Sequence, residues 1–289
     1  MWETSLPLTY EDYALSDERR DVLQTLSDTL RESLVPSTET GCVMIKDTLD
    51  QSTARHWHAE RMLRITASKC KVVNSFWEKI LGRRENLPVR SMFNYISDNL
   101  WFTKNIQTKD MKYGLNEEAN ARKAYMDASG FKVLKTGLWV NLSHPFLGAS
   151  PDGLVVTSPD DRVAGVLEIK CLKIMKDISI ADLIQKIETC AISRKILSQQ
   201  CFELRDGKLI LKECHAYFYQ IQLQMFATGL PFCDFVLHTP HGPPSIQRIV
   251  QNIHFQTALV NNLTAFWKKV FIPEYFEMRV PRRLVPFIL

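Results

Sequence analysis

Ser150-Pro151-Asp152-Gly153-Leu154, followed downstream by Leu167-Glu168-Ile169-Lys170-Cys171, decides how this chain is read. The second segment is a strand. Alternation puts Leu167, Ile169 and Cys171 on one face and Glu168 and Lys170 on the other. A carboxylate and an ammonium then leave one rigid element side by side, with the Ile169 carbonyl between them. The first segment is the end or bend of the preceding strand, because Pro151 removes a ladder donor and Gly153 frees the backbone. With the two strands adjacent, Asp152 and Glu168 meet at one point. Upstream, Tyr113-Gly114 and then Glu117-Glu118 open a helix over 114–129, closed by Gly130, and bring a further carboxylate.

Each piece has a plainer account. Ser-Pro-Asp-Gly is a good turn by itself. Glu168 and Lys170 could form a surface pair worth little, and acids in a first helical turn answer the helix dipole. The turn between the strands is already supplied by Ser158-Pro159-Asp160-Asp161. A second Asp-Gly inside a strand-rich stretch therefore calls for another reason, and phosphodiester hydrolysis supplies one. That reaction needs an acidified water, neutralised charge on the phosphoryl oxygens and a stabilised leaving oxygen. A hard divalent ion held by Asp152, Glu168, the Ile169 carbonyl and a Glu of the neighbouring helix, Glu117 or Glu118, does the first two, and oxygen ligands select Mg²⁺ or Mn²⁺ over zinc. Lys170 orients the water and stabilises the transition-state charge.

Outward from these segments the pattern is helices first, then strands. Helices are expected over 17–34 (capped by Ser16), 52–64, from Thr66 or Ser68 to 81, and 89–101. Residues 131–141, 147–157 and 164–171 read as strands of a meander. Residues 180–199 read as helical, and 201–211 as a hairpin around Asp206-Gly207. A nearly charge-free helix over 213–228 carries Gln220, Gln222 and Gln224, which would be costly if buried without partners. One of them is expected to serve the site; Gln222 and Gln224 fit a solvent-facing stripe equally well. Strands over 232–238 and 246–250 and a helix over 254–271 complete the order. The fold class is α+β, a mixed central sheet flanked by helices with a helical N-terminal section. The expected division is an acidic extension over 1–50, a nuclease domain over 51–271 and an apolar, basic tail over 272–289.

The 289 residues, 45% hydrophobic and 24% charged, suit a globular chain with a sizeable core. No stretch approaches the roughly 20 apolar residues of a membrane span, and the N-terminus lacks the layout of a signal peptide. The seven scattered cysteines, with no C-x-x-C pair, suggest neither a disulfide framework nor a zinc site. An intracellular location, nucleus or cytoplasm, is expected. Residues 1–40 carry nine acids and three bases, whereas 41–90 carry ten bases and five acids. A local basic cluster of this kind suits phosphate binding, although a solvated helix surface would look the same.

Taken together, these motifs resemble the PD-(D/E)xK nucleases and, within them, the YqaJ-like viral recombinase family that includes lambda-type exonucleases. The resemblance spans about residues 57–228. It rests on Tyr113-Gly-Leu-Asn-Glu-Glu118-Ala-Asn-Ala-Arg122, Ser150-Pro-Asp152-Gly-Leu, Leu167-Glu168-Ile-Lys170-Cys171, Tyr217-Phe-Tyr-Gln220-Ile-Gln222, and Trp57, Arg61 and Ile65-Thr66-Ala67-Ser68. It makes Glu118 rather than Glu117 the carried-over carboxylate, and it singles out Gln220. It assigns Arg61 and Ser68, with Thr66, to the 5′-phosphate of a DNA end. A planar guanidinium and a helix N-terminus suit that ligand. Leu63 stands where the family has a glycine, and Arg64 is an extra cation. The resemblance implies a 5′–3′ exonuclease on double-stranded DNA ends. An endonuclease on the same core, or a non-catalytic DNA-binding module, are the alternatives. Partners it implies are double-stranded DNA ends and a single-strand annealing protein, with either a homo-oligomeric ring or a monomer and no membrane.

Overall fold

The computed structural model describes residues 17–35, 41–82, 89–101, 108–157 and 162–286. The Ser16 cap, the irregular segment 1–15, most of the break at 36–41, most of the connection at 82–88, the turn at 158–161 and the last residues of the tail lie outside the described residues. The chain divides into two compact units. One comprises Met1–Thr38, Val72–Ile106 and Thr257–Leu289; the other comprises Glu39–Lys71 and Gln107–Gln256. In chain order the helices are α1 (Asp17–Ser33), α2 (Arg55–Met62), α3 (Cys70–Gly82), α4 (Val89–Ile96), α5 (Lys109–Ser129), α6 (Ile180–Glu188), α7 (Arg194–Ser198), α8 (Ala216–Thr228), α9 (Ile253–Phe266) and α10 (Ile272–Glu277). The strands are β1 (Cys42–Met44), β2 (Ile65–Thr66), β3 (Lys132–Leu134), β4 (Trp139–Asn141), β5 (Leu147–Ala149), β6 (Gly153–Thr157), β7 (Arg162–Cys171), β8 (Phe202–Arg205), β9 (Lys208–Leu211), β10 (Phe232–His238) and β11 (Ser245–Val250).

The second unit holds every strand among the described residues. Its five-stranded sheet runs β11-β10-β7-β6-β3, with β7 at the centre. β7 pairs parallel with β10 and antiparallel with β6, so the sheet is mixed, as expected from the pattern. Leu167, Ile169, Val155 and Val236 face Ala121 and Tyr125 of α5. Val166, Leu154, Phe235 and Leu237 face the opposite cluster, with Phe218, Ile221 and Met225 of α8 and Leu183 of α6. Each such side chain, fully buried, is worth about 1.5–3 kcal/mol. This sandwich makes the β7 backbone rigid where Glu168 and Lys170 leave it.

A four-stranded sheet, β1-β4-β5-β2, corrects the expected meander. Residues 131–141 form two strands, not one, and so do residues 147–157. In each pair the chain leaves one sheet and joins the other, at 135–138 and at 150–152. Periodicity does not mark either break, because β-rich residues continue on both sides. Steric detail does mark them. A Cβ on Gly137 would lie 2.3 Å from Thr48 Oγ1, and Pro151 has no N–H to give a ladder.

Three further expectations shift. α5 starts at Lys109, so Glu117 and Glu118 sit within the helix rather than in its first turn; Gly130 (φ 73°) closes it as expected. Residues 180–199 are two helices separated by Cys190 (φ 55°), each capped by a serine, Ser179 and Ser193. The last helix runs past 271, through a π turn at Trp267–Phe271 into α10. The hairpin β8–β9 does turn at Asp206-Gly207, both with positive φ.

The first unit is helical: α1, most of α3 and α9, α4 and α10. Phe76 stacks on Tyr95 at 3.7 Å, and Phe266 meets both edge-on. Buried Glu274 accepts bonds from Trp101 Nε1 (2.8 Å) and Val280 N (2.9 Å), which ties the start of the tail to this core. No described helix is long and apolar enough to cross a membrane.

Candidate active site

Glu168 projects from β7 towards α8 and is 1% exposed. A carboxylate this deep needs donors, and the fold gives it three. Gln220 Nε2 and the Lys170 ammonium donate to Oε1, the former at 2.7 Å; Gln224 Nε2 donates to Oε2 at 2.6 Å. Gln220 and Gln224 are one turn apart on α8, so a single helix face covers both oxygens. Lys170 also lies 4.6 Å from the Tyr217 ring centre. Burial alone would push the Lys170 ammonium down; Glu168 and Asp152 outweigh it and hold it well above its ordinary value. Lys170 is therefore charged throughout the physiological range.

Asp152 lies at the bend before β6. Its N–H donates to Leu167 O at 3.0 Å, and its Oδ2 accepts the Ile169 N–H at 2.7 Å. These bonds fix it against β7 beside Glu168. Burial, then the Glu168 charge, push its carboxyl up to about 8, against the pull of Lys170 and the Ile169 N–H; the Glu118 charge adds to the upward push. Three carboxylates are thus electrostatically close, and the Lys170 ammonium beside Asp152 is already bonded to Glu168.

Glu118 comes from α5. Arg122, one turn on, bonds its Oε1 at 2.8 Å and also donates to the Asp152 carbonyl at 2.9 Å. Arg122 therefore ties Glu118 to the Asp152 bend. Glu117 turns elsewhere, with Oε2 3.8 Å from His238 Nε2 and a bond from Asn120 Nδ2 at 3.2 Å. A cleft of about 720 Å³ opens over the group, lined among others by Glu118, Asp152, Ile169, Lys170 and Tyr217. That is the size of an ordinary ligand pocket.

The donor set suits a hard divalent cation. It is all oxygen, it carries excess negative charge around Asp152, and it faces an open cleft. Among the described residues no three His, Cys, Asp or Glu side chains are placed to hold a metal ion by themselves. Mg²⁺ and Mn²⁺ do not require such a set, since Mg²⁺ keeps several waters and takes substrate oxygens alongside one or two carboxylates.

The predicted phosphate group gathers beside this cluster. The Arg61 guanidinium lies 3.9 Å from the Trp57 ring centre, and Trp57 Nε1 bonds Ser150 Oγ at 2.9 Å. One side chain thus separates Arg61 from the Asp152 bend. Burial lowers Arg61 to about 10, and Lys69, also lowered by burial, feels the Arg61 charge. Two partly desolvated cations side by side favour an anion. Thr66 occupies the cap position of the 3₁₀ turn Ala67–Lys69, which leads into α3, but its hydroxyl makes no capping bond. It meets the Ser68 hydroxyl at 3.3 Å instead. Arg64 is a structural pin, bonding Pro145 O at 2.8 Å and Glu60.

Gln224 is 0% exposed and reaches Glu168, so the solvent-facing reading of it does not hold; its spacing from Gln220 was the available signal. Gln222 is equally buried, but it bonds Val250 O and Asn252 N and has no part in the cluster. Arg122 stood within a motif without an assigned task.

Several solved structures are similar to this chain. An alkaline exonuclease from Laribacter hongkongensis, LHK-Exo, shares 24% identity with a TM-score of 0.49, over 79% of this chain and 98% of that one. The Shutoff and Exonuclease Protein of the Kaposi's sarcoma-associated herpesvirus shares 13% identity at a TM-score of 0.47, over 79% and 71% of the two chains. A SOX–DNA complex shares 14% identity at a TM-score of 0.47, over 76% and 68%. No curated protein matches the chain at a significant level. Residues 56–231, more than half of the chain, match the YqaJ-like viral recombinase domain, and the chain belongs to that family.

Proposed function

We propose that this chain is a divalent-metal-dependent deoxyribonuclease that degrades linear double-stranded DNA from its ends in the 5′–3′ direction, favouring ends with a 5′-phosphate. Family membership supports a role in processing nucleic acid. The observation that carries the chemistry is the convergence of Asp152, Glu168 and Lys170 at one strand end, under an open cleft. We take residues 51–271 as the domain that bears the activity, with 1–50 and 272–289 outside it.

Asp152, Glu168, Glu118 and the Ile169 carbonyl would hold Mg²⁺ or Mn²⁺. Bound there, such an ion acidifies a water and neutralises phosphoryl charge. The protein's own groups do the rest. Gln220 and Gln224 hold the Glu168 carboxylate in one orientation. Lys170, charged and braced between Glu168 and Tyr217, presents N–H donors to the attacking water and to the transition-state oxygens. Arg122 holds Glu118 against the Asp152 bend. Arg61, Lys69 and the Thr66 and Ser68 hydroxyls would receive the terminal 5′-phosphate.

The test compares end-labelled linear duplex with a closed circle, each with Mg²⁺. Release of nucleotides from the linear form alone supports the proposal; cutting of the circle makes the protein an endonuclease. DNA binding without any cleavage makes it a binding module. A second comparison, 5′-phosphate against 5′-hydroxyl ends, tests the Arg61 assignment.

A further inference from the structure

Two short segments carry the chain between the two larger sheets: residues 135–138, from β3 to β4, and residues 150–152, from β5 to β6. At such crossings backbone groups leave one ladder before joining the next, and they need partners from elsewhere. One side chain serves both. Gln51 Nε2 donates to Thr136 O at 3.0 Å and to Pro151 O at 2.9 Å. The Pro151 carbonyl belongs to the same planar peptide as the Asp152 N–H. Fixing that carbonyl fixes the plane from which Asp152 departs.

Gln51 is itself held in place. Its backbone has φ 43°, a region that non-glycine residues enter at a cost and that surrounding contacts must maintain. Its N–H bonds Thr48 O at 3.0 Å. Thr48 in turn accepts the Leu138 N–H at 2.9 Å and donates to Ile45 O at 2.6 Å. The turn at 48–51 is therefore anchored to the first crossing and reaches the second through the Gln51 amide. Its neighbours grip the adjoining residues: Trp57 bonds Ser150 Oγ, and Arg122 bonds Asp152 O. Ser150, Pro151 and Asp152 each accept from one side-chain donor, Trp57, Gln51 and Arg122, and of these only Gln51 lies outside the matched residues 56–231.

We propose that Gln51 is a positioning residue for the candidate metal site, setting the Asp152 carboxylate by locking both inter-sheet crossings with one amide. This rests on the reading that Asp152 holds a divalent cation. The experiment titrates Mn²⁺ calorimetrically into the full-length wild type, Asp152→Ala, Gln51→Gly and Gln51→Glu, with thermal unfolding of each. Gln51→Gly suits the positive φ but lacks the amide. Gln51→Glu keeps the size but turns acceptors towards two carbonyls. The expected result is Mn²⁺ binding about 10–100-fold weaker in both Gln51 variants, the usual effect of losing a group that orients a ligand. On linear duplex kcat should fall with KM for DNA unchanged, while Gln51→Gly unfolds within a few degrees of wild type. Wild-type Mn²⁺ affinity in either folded variant overturns the proposal. Failure of both to fold also overturns it, because Gln51 is then a general structural tie. Equal Mn²⁺ binding by wild type and Asp152→Ala contradicts the metal reading instead.

Discussion

Glu168 and Asp152 stand on neighbouring strands, yet the protein treats them in opposite ways. Glu168 receives Lys170, Gln220 and Gln224, so both of its oxygens are satisfied. Asp152 receives one backbone N–H at its carboxylate, and burial pushes that carboxyl up to about 8. The rest of its bonding is through the backbone: its N–H donates to Leu167 O, its carbonyl accepts from Arg122, and the preceding Pro151 carbonyl accepts from Gln51. The difference separates two design tasks. One carboxylate is oriented by three side-chain donors before any ion binds. The other is held rigidly in position with no described cationic side chain bonded to its carboxylate, which suits a cation the protein does not itself supply.

The largest effects should come from removing these two groups. Asp152→Asn and Glu168→Ala should each lower nuclease activity by at least about 10³-fold, but their stabilities should diverge. Glu168→Ala leaves Lys170 and two glutamines buried without an acceptor. The cost should be about 3 kcal/mol by denaturant unfolding, the low end for a broken buried pair because Asp152 remains near Lys170. Asp152→Asn should leave the metal-free protein as stable as wild type, or more so, above pH 8. Equal destabilisation by both variants would remove the contrast.

The glutamines sharpen it. Gln224→Leu should weaken Mn²⁺ binding about 10-fold through the loosened Glu168. Gln222→Leu should cost about 1–3 kcal/mol of stability, from the unpaired Val250 and Asn252 backbone groups. It should leave Mn²⁺ affinity unchanged. Isothermal titration separates the two.

The phosphate group is the next step down. Arg61→Ala should lower the rate on 5′-phosphorylated duplex about 10-fold, as for one lost charge-assisted contact. The rate on 5′-hydroxyl duplex should change little. Equal loss on both ends would detach Arg61 from the phosphate.

The smallest effect concerns pH. The Asp152 carboxyl is raised in the folded state, so its favourable contribution is complete below about pH 4 and is lost as pH rises through about 8. Added Mn²⁺ binds the ionised form and opposes that loss. The gain in Tm from Mn²⁺, a few degrees, should therefore grow from pH 6 to pH 9 in wild type and be absent in Asp152→Asn. A gain independent of pH would place the ion elsewhere.

Much of this contrast was legible in the sequence, for local reasons. Alternation along 166–171 put Glu168 and Lys170 on one face, and Pro151 and Gly153 marked a bend at Asp152. Helical spacing offered Gln224 beside Gln220, but it could not tell a solvent-facing stripe from a buried pair of donors. What the sequence withheld is non-local. The two sheet-to-sheet crossings lie inside runs whose β pattern does not break, so 131–141 and 147–157 read as single strands. Gln51 meets Pro151 across 100 residues, with no periodicity to announce it. The start of α5 at Lys109 was hidden because Gly114, which reads as a boundary, lies inside the helix, where a single glycine costs only about 1 kcal/mol.

The most direct test of the central claim is Mg²⁺-dependent digestion of end-labelled linear duplex by wild type and Asp152→Asn, after both are shown to unfold cooperatively. The wild type should release nucleotides steadily, stopped by chelation, and the variant none above background. Digestion by Asp152→Asn at the wild-type rate would contradict the claim.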